Sequence, residues 1–166
     1  MEEELESPFK AHHEEAAEEA MESGGRWLSR CAVLSALLAA AAAVTGLYSG
    51  HYVNGAMLEQ IQASDQWNYY QAKGIKAVVH EAAGNADKSQ HYRQEQDAIK
   101  QKADGLTETS MHHFEKHEQL AAAVTFFQIA IALTAIAVLT RRRHFLGVVG
   151  VLAAAGCVFA VRGFAL

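Results

Sequence analysis

His113 and His117 stand four residues apart. On a helix that spacing sets two imidazoles on one face and can give a metal ion two nitrogen ligands. Glu108 and His112 repeat it one step round the helix, and His51, at the other end of the same polar segment, is the candidate third ligand. No cysteine lies in that segment. The plainer reading is that histidines at helical spacing without a fixed third ligand fill a seam or meet water. Histidines in a seam would charge as the pH falls toward about 6, which would make the segment pH-responsive.

Little else points to catalysis. The chain has no glycine-rich phosphate loop, no strand-turn-helix nucleophile motif and no acid inside an apolar run. His12, His13, Glu14 and Glu15 lack the His-Glu-x-x-His spacing of zinc hydrolases. No enzymatic activity and no cofactor is expected. For transport, residues 120–140 offer Thr125, Gln128 and Thr134 but no charge, whereas ion pathways usually carry ionisable residues. Gln128 suits a hydrogen bond to a neighbouring helix. A pore built by several copies and lined by small and polar residues is the alternative.

The elements that position these residues are long helices. With 51% apolar residues and a single proline in 166, the chain reads as nearly all helix. Residues 120–140 carry no charge, and at 1.5 Å per residue they cross roughly 30 Å of hydrocarbon. Arg141, Arg142, Arg143 and His144 follow at once. Residues 31–48 and 145–161 form two further apolar runs, the first preceded by Arg26, Trp27 and Arg30. A cleaved signal peptide competes for the first run, with Ala41 and Ala43 as its small-residue pair, but the leader is long and acidic. Cys31 and Cys157 lie inside apolar runs and read as small buried hydrophobes. Arg162 falls about 26 Å along from Phe145, where its guanidinium can snorkel to headgroups; a gating or substrate-binding role is the sharper alternative.

The expected fold is therefore an all-α membrane protein: three transmembrane helices, with a long extramembrane antiparallel helical hairpin between the first and second. Its parts are an acidic tail (1–25), a first span (26–50), the hairpin (51–119), a second span (120–140), a basic turn (141–144) and a third span (145–166). Charge follows the same division. Residues 1–30 carry nine acids and three bases, residues 51–119 ten and seven, and residues 120–166 four arginines and no acid. Bases in short loops orient membrane proteins more reliably than those in long ones. Arg141, Arg142 and Arg143 thus place the turn and the N-terminus in the cytoplasm and the hairpin outside.

Within the hairpin, Gly84 can end one helix and Asp87 can cap the next. The returning helix carries a heptad seam of Ile99, Ala103, Leu106, Ser110, His113, His117 and Leu120. The outgoing helix is less regular, with Met57, Ile61, Ala72, Ile75, Val79 and Ala82 as its apolar members. Its richest stretch is Ser64, Asp65, Gln66, Trp67, Asn68, Tyr69, Tyr70, Gln71, Ala72 and Lys73. Aromatics and amides surround the helix there. Trp67 lies about 26 Å beyond Gly50, too far for a headgroup belt. These are the residue types of interface cores. An ordinary solvated face with stray aromatics is the bland reading. In the first span, Ser35, Ala39 and Ala43 recur every four residues, and Gly46 and Gly50 form Gly-x-x-x-Gly. Such a stripe admits a close helix neighbour, or belongs to an alanine-rich helix with no special partner.

Glu59 to Gln62, then Ser64 to Gln66, Trp67 and Tyr69 to Lys73, with Phe127 to Ile131 and Leu139, Thr140 and the three arginines downstream, closely resemble a family of small bacterial membrane proteins, domain-of-unknown-function family 4337. The resemblance covers most of the chain from the first span onward. It implies a bacterial inner-membrane protein with this helical layout, and no activity.

The expected function is a homo-oligomeric membrane scaffold or interaction protein. Its partners would be the bilayer and copies of itself, with no nucleic acid. A multi-subunit pore and a metal- or pH-responsive membrane protein are the alternatives.

Overall fold

The computed structural model describes residues 25–166 in full and the helical backbone alone for residues 8–24. The side chains of the acidic tail and its first residues lie outside the described part. Three helices make up the described chain: α1 (Pro8–Ala82), α2 (Ala86–Thr140) and α3 (Phe145–Ala165), with no strand among the described residues. Helix α1 begins at Pro8, whose missing N–H costs nothing at a first helical position. It passes unbroken through Gly24 and Gly25, although paired glycines favour a helix end.

All three helices hold a stretch long and apolar enough to cross a membrane, and no more than 28% of any of these stretches is buried inside the chain. Leu37, Leu47, Leu139, Val151 and Val161 are among the side chains left outside. Apolar runs this long and this little buried within the chain have the length and composition of membrane spans.

The contacts between α1 and α2 run in opposite senses. Ser49 meets His117, Ser110 reaches the carbonyl of Ala56, and Gln96 that of Tyr70. Each step of seven residues up α1 is a step of seven down α2. The register sets Ala63 opposite Ala103 and Ala77 opposite Ser89, all four buried. Small residues at this heptad position bring the two backbones close, and the larger residues flank the contact. On α2, the seam read from the sequence is the seam observed, with Ile99, Ala103, Ser110 and Leu120 buried. On α1 it is different: Met57, Ile61, Ile75 and Val79 are all exposed. Their place against α2 is taken by Ser49, Ala56, Ala63 and Ala77, because close approach selects small side chains over bulky ones.

Helix α2 also packs against α3 in a second antiparallel register. Gly163 lies against Leu120 and Gly156 against Phe127, and the same spacing brings Val149 level with Thr134. A Cβ on Gly156 would fall 2.6 Å from the Phe127 ring, so only glycine admits that ring in this pose. Thus α2 is the central helix. Leu38 and Ala42 of α1, Ala123, Phe127 and Ala130 of α2 and Val149 of α3 form the core.

The turn at Gly84 follows from its backbone. Gly84 has φ +75°, Gly84 N–H donates to Glu81 O at 3.0 Å, and Asn85 N–H donates to His80 O at 2.8 Å. This is the left-handed closure that glycine adopts without a Cβ penalty. The residue at the N-cap of α2 is Asn85 rather than Asp87; Asp87 lies in the first turn, where its charge suits the positive end of the helix dipole.

Candidate functional site

The base of the α1–α2 pair concentrates its polar groups. Ser49, buried, has its Oγ 2.9 Å from His117 Nδ1, and its carbonyl oxygen lies 3.0 Å from the same nitrogen. A proton on Nδ1 satisfies that carbonyl, so His117 clamps the two backbones together. One turn away, His113 Nδ1 lies 3.0 Å from Glu59 Oε2, and its ring is tilted against Tyr52 at 5.7 Å. The two histidines therefore engage different partners on α1. His51 is exposed and contacts Tyr52, and no group of three or more His, Cys, Asp or Glu side chains converges on one point among the described residues.

Further along α1 the aromatic stretch divides among three environments. Tyr70 occupies a seam layer, its carbonyl accepting from Gln96 Nε2 at 3.0 Å. Trp67 is half-buried and meets Tyr70 edge to face at 5.5 Å, and Gln66 is half-buried beside it. Asp65, Tyr69 and Gln71 are exposed. Lys73 crosses to α2: Nζ lies 2.7 Å from Glu95 Oε2 and 5.1 Å from the ring centres of both Tyr69 and Tyr92. The hydrogen bond to Glu95, helped by one to Tyr69, raises the Lys73 pKa above its usual 10.5. The same bond from Lys73 holds Glu95 below its usual 4.5. Near the turn, Tyr92 stacks on His80 and Arg93 pairs with Glu81.

One flank of α1 is left exposed among the described residues. Met57, Gln60, Ile61, Ser64, Asn68, Gln71, Ile75 and Val78 are all exposed, and none carries a charge. The opposite flank presents Asp65 and Lys76. Two grooves open on the uncharged side. The lower one, about 460 Å³, is lined by Met57 and Gln60 with Met111 and Phe114 of α2, and Glu115 of α2 stands at its edge. The upper one, about 500 Å³, is lined by Gln71, Ile75 and Val78. In the apolar part of α1, a Cβ on Gly46 would meet Val124 of α2 at 3.8 Å, whereas one on Gly50 would meet nothing. Gln128 is exposed on α2.

The sequence profile of the family described as domain of unknown function DUF4337 matches residues 27–90 and 77–166. The chain belongs to that family. No curated protein and no solved structure matches it.

In this DUF4337 protein the arginines group at two ends. Arg141 takes a left-handed conformation, φ 52°, to close α2, and Arg141, Arg142 and Arg143 are all exposed. The Arg143 guanidinium lies over the Trp27 ring, 6.0 Å from its centre. The start of the apolar part of α1 and the basic turn thus sit at one end of the helices. Arg162 is exposed near the other end, in the last turn of α3.

Sequence reasoning missed the Ser49, Glu59 and Lys73 contacts across the seam and the Trp27–Arg143 contact. The signal for the first three was the seven-residue spacing of Ser49, Ala56, Ala63 and Ala77, which marks a close-packed face. Nothing local in the sequence pairs Trp27 with Arg143.

Proposed function

We propose that this protein is a non-catalytic membrane scaffold of the bacterial inner membrane that assembles with copies of itself. The three apolar stretches span the bilayer, the N-terminus and the basic turn are cytoplasmic, and the paired helices beyond Ser49 and His117 stand in the periplasm. The observation that carries this reading is the uncharged, exposed flank of α1 with its two grooves. Identical chains inserted in the same sense meet at the same height, so a residue near their axis faces its own copy. A charge there would repel itself, and the flank carries none from Met57 to Val78. Its exposed Met57, Ile61, Ile75 and Val78 supply the apolar area such a contact buries. Exposed Gln128 supplies a hydrogen-bonding amide to a neighbouring span, and Gly50 leaves room beside α1.

The test is the mass of the full chain in detergent and in lipid discs. An oligomer is expected, and Ile75→Glu is expected to dissociate it while helicity is retained. Trp67→Ala and Tyr70→Ala should also weaken it, but they disturb the α1–α2 seam as well. A wild-type chain that is monomeric in lipid would overturn the proposal. Ion flux through liposomes carrying the assembled chain would favour the pore instead.

A further inference from the structure

We infer that Arg26, Trp27, Arg30 and Arg143 form a binding site for a phosphate-bearing anion, the chemistry that an anionic phospholipid headgroup presents. This rests on the membrane placement proposed above and is independent of self-association. Arg26, Trp27 and Arg30 come from α1 and Arg143 from the turn after α2, yet the four line one cavity of about 320 Å³. Stacking over Trp27 holds the Arg143 guanidinium by its face and leaves its N–H edge available. No ion pair among the described residues engages Arg30 or Arg143.

The indole provides an independent sign. Trp27 Nε1 is shut off from solvent and has no hydrogen-bond acceptor among the described residues. Buried indole N–H groups normally have one. The unpaired indole N–H and the guanidinium groups of Arg30 and Arg143 share one cavity and together suit an acceptor with negative charge. Phosphate oxygens supply it, and guanidinium takes them in a two-pronged grip. Arginines that merely snorkel point outward one by one. Here two distant segments converge, at the end of the helices where basic pockets recognise acidic headgroups.

In the full chain carrying Trp67→Phe, Trp27 is the sole indole, so its fluorescence reports on the cavity. The protein in neutral detergent is titrated separately with phosphatidylglycerol, phosphatidylcholine and inorganic phosphate. A saturable change with phosphatidylglycerol is expected, and Arg30→Gln or Arg143→Gln should weaken it by about tenfold or more, the scale of a lost charge-assisted hydrogen bond. Arg143→Lys keeps the charge without the fork and should fall between. Arg162→Gln removes the same charge from the other end and should change nothing. Saturation by phosphatidylglycerol alone assigns the site to a lipid; saturation by inorganic phosphate assigns it to a soluble anion; both uphold it. Equal responses to the anionic and zwitterionic lipids, or helical arginine variants that titrate like the parent, would overturn it. A chain that enters neither micelles nor bilayers would instead defeat the membrane placement.

Discussion

The Ser110 hydroxyl donates to the carbonyl oxygen of Ala56, 2.8 Å away on the opposing helix and buried between the two backbones. A side chain as short as serine reaches a facing main chain only when the helices nearly touch. This one bond therefore reports the spacing of the whole α1–α2 pair, in which Ala63, Ala77 and Ala103 fill the other layers. Ser110→Ala keeps the spacing and should cost about 1 kcal/mol, the net worth of one hydrogen bond. Ser110→Leu forces the helices apart and should cost roughly 1–3 kcal/mol or more. Thermal unfolding followed by circular dichroism in detergent checks the order. Equal loss in the two variants would contradict the close-packed seam.

Gly156 and Gly147 lie on the same helix but differ in surroundings. A Cβ on Gly156 would collide with the Phe127 ring, which is itself buried, while one on Gly147 would meet open space. Gly156→Ala should destabilise the α2–α3 contact by roughly 1–3 kcal/mol. Gly147→Ala should be neutral or mildly stabilising, since alanine is the better helix former. The comparison is read as the difference in unfolding midpoint between the two variants.

The Lys73–Glu95 pair gives stability a dependence on pH at both extremes. Glu95 is depressed below 4.5, so its contribution is present above that value and is lost as pH falls through the lowered pKa. Lys73 is raised above 10.5, so its contribution holds below that value and is lost as pH rises through the raised one. Between the two the pair contributes a constant amount. Lys73→Gln should remove both limbs from the pH profile of the unfolding midpoint, and an unaltered profile would rule the pair out as a contributor.

The proposed assembly predicts which cysteines cross-link. With Cys31 and Cys157 replaced by serine, a cysteine at Ile61, Asn68 or Ile75 should form disulfide-linked dimers under mild oxidation. A cysteine at Gln62 or Lys76, on the charged side of the same helix, should not. Cross-linking from the charged side alone would place the contact on the wrong flank.

Sidedness is checked at the turn between α1 and α2. Asn85→Cys, in the same cysteine-free background, should react with a membrane-impermeant maleimide added outside the inner membrane. Reaction only after the membrane is broken would reverse the proposed orientation.

From the sequence alone came the three apolar runs and the two turns between the helices, but not the unbroken course of α1 through Gly24 and Gly25. Three uncharged runs, the basic residues after Thr140 and the glycine before Asn85 are local signals, because hydrophobic length, charge and the left-handed turn are properties of a few neighbouring residues. The sequence also determined the seam of α2, where Ile99, Ala103, Ser110 and Leu120 recur at heptad spacing. Only the tertiary structure decided which face of α1 meets that seam. Bulk pointed to Met57, Ile61, Ile75 and Val79, whereas contact went to Ser49, Ala56, Ala63 and Ala77. The reason is that a helix face is chosen by how closely two backbones can approach, a property of the pair, and the bulkier apolar side chains are left outward. The same holds for Trp27 and Arg143, which meet only because the start of the apolar part of α1 and the turn after α2 lie at the same level.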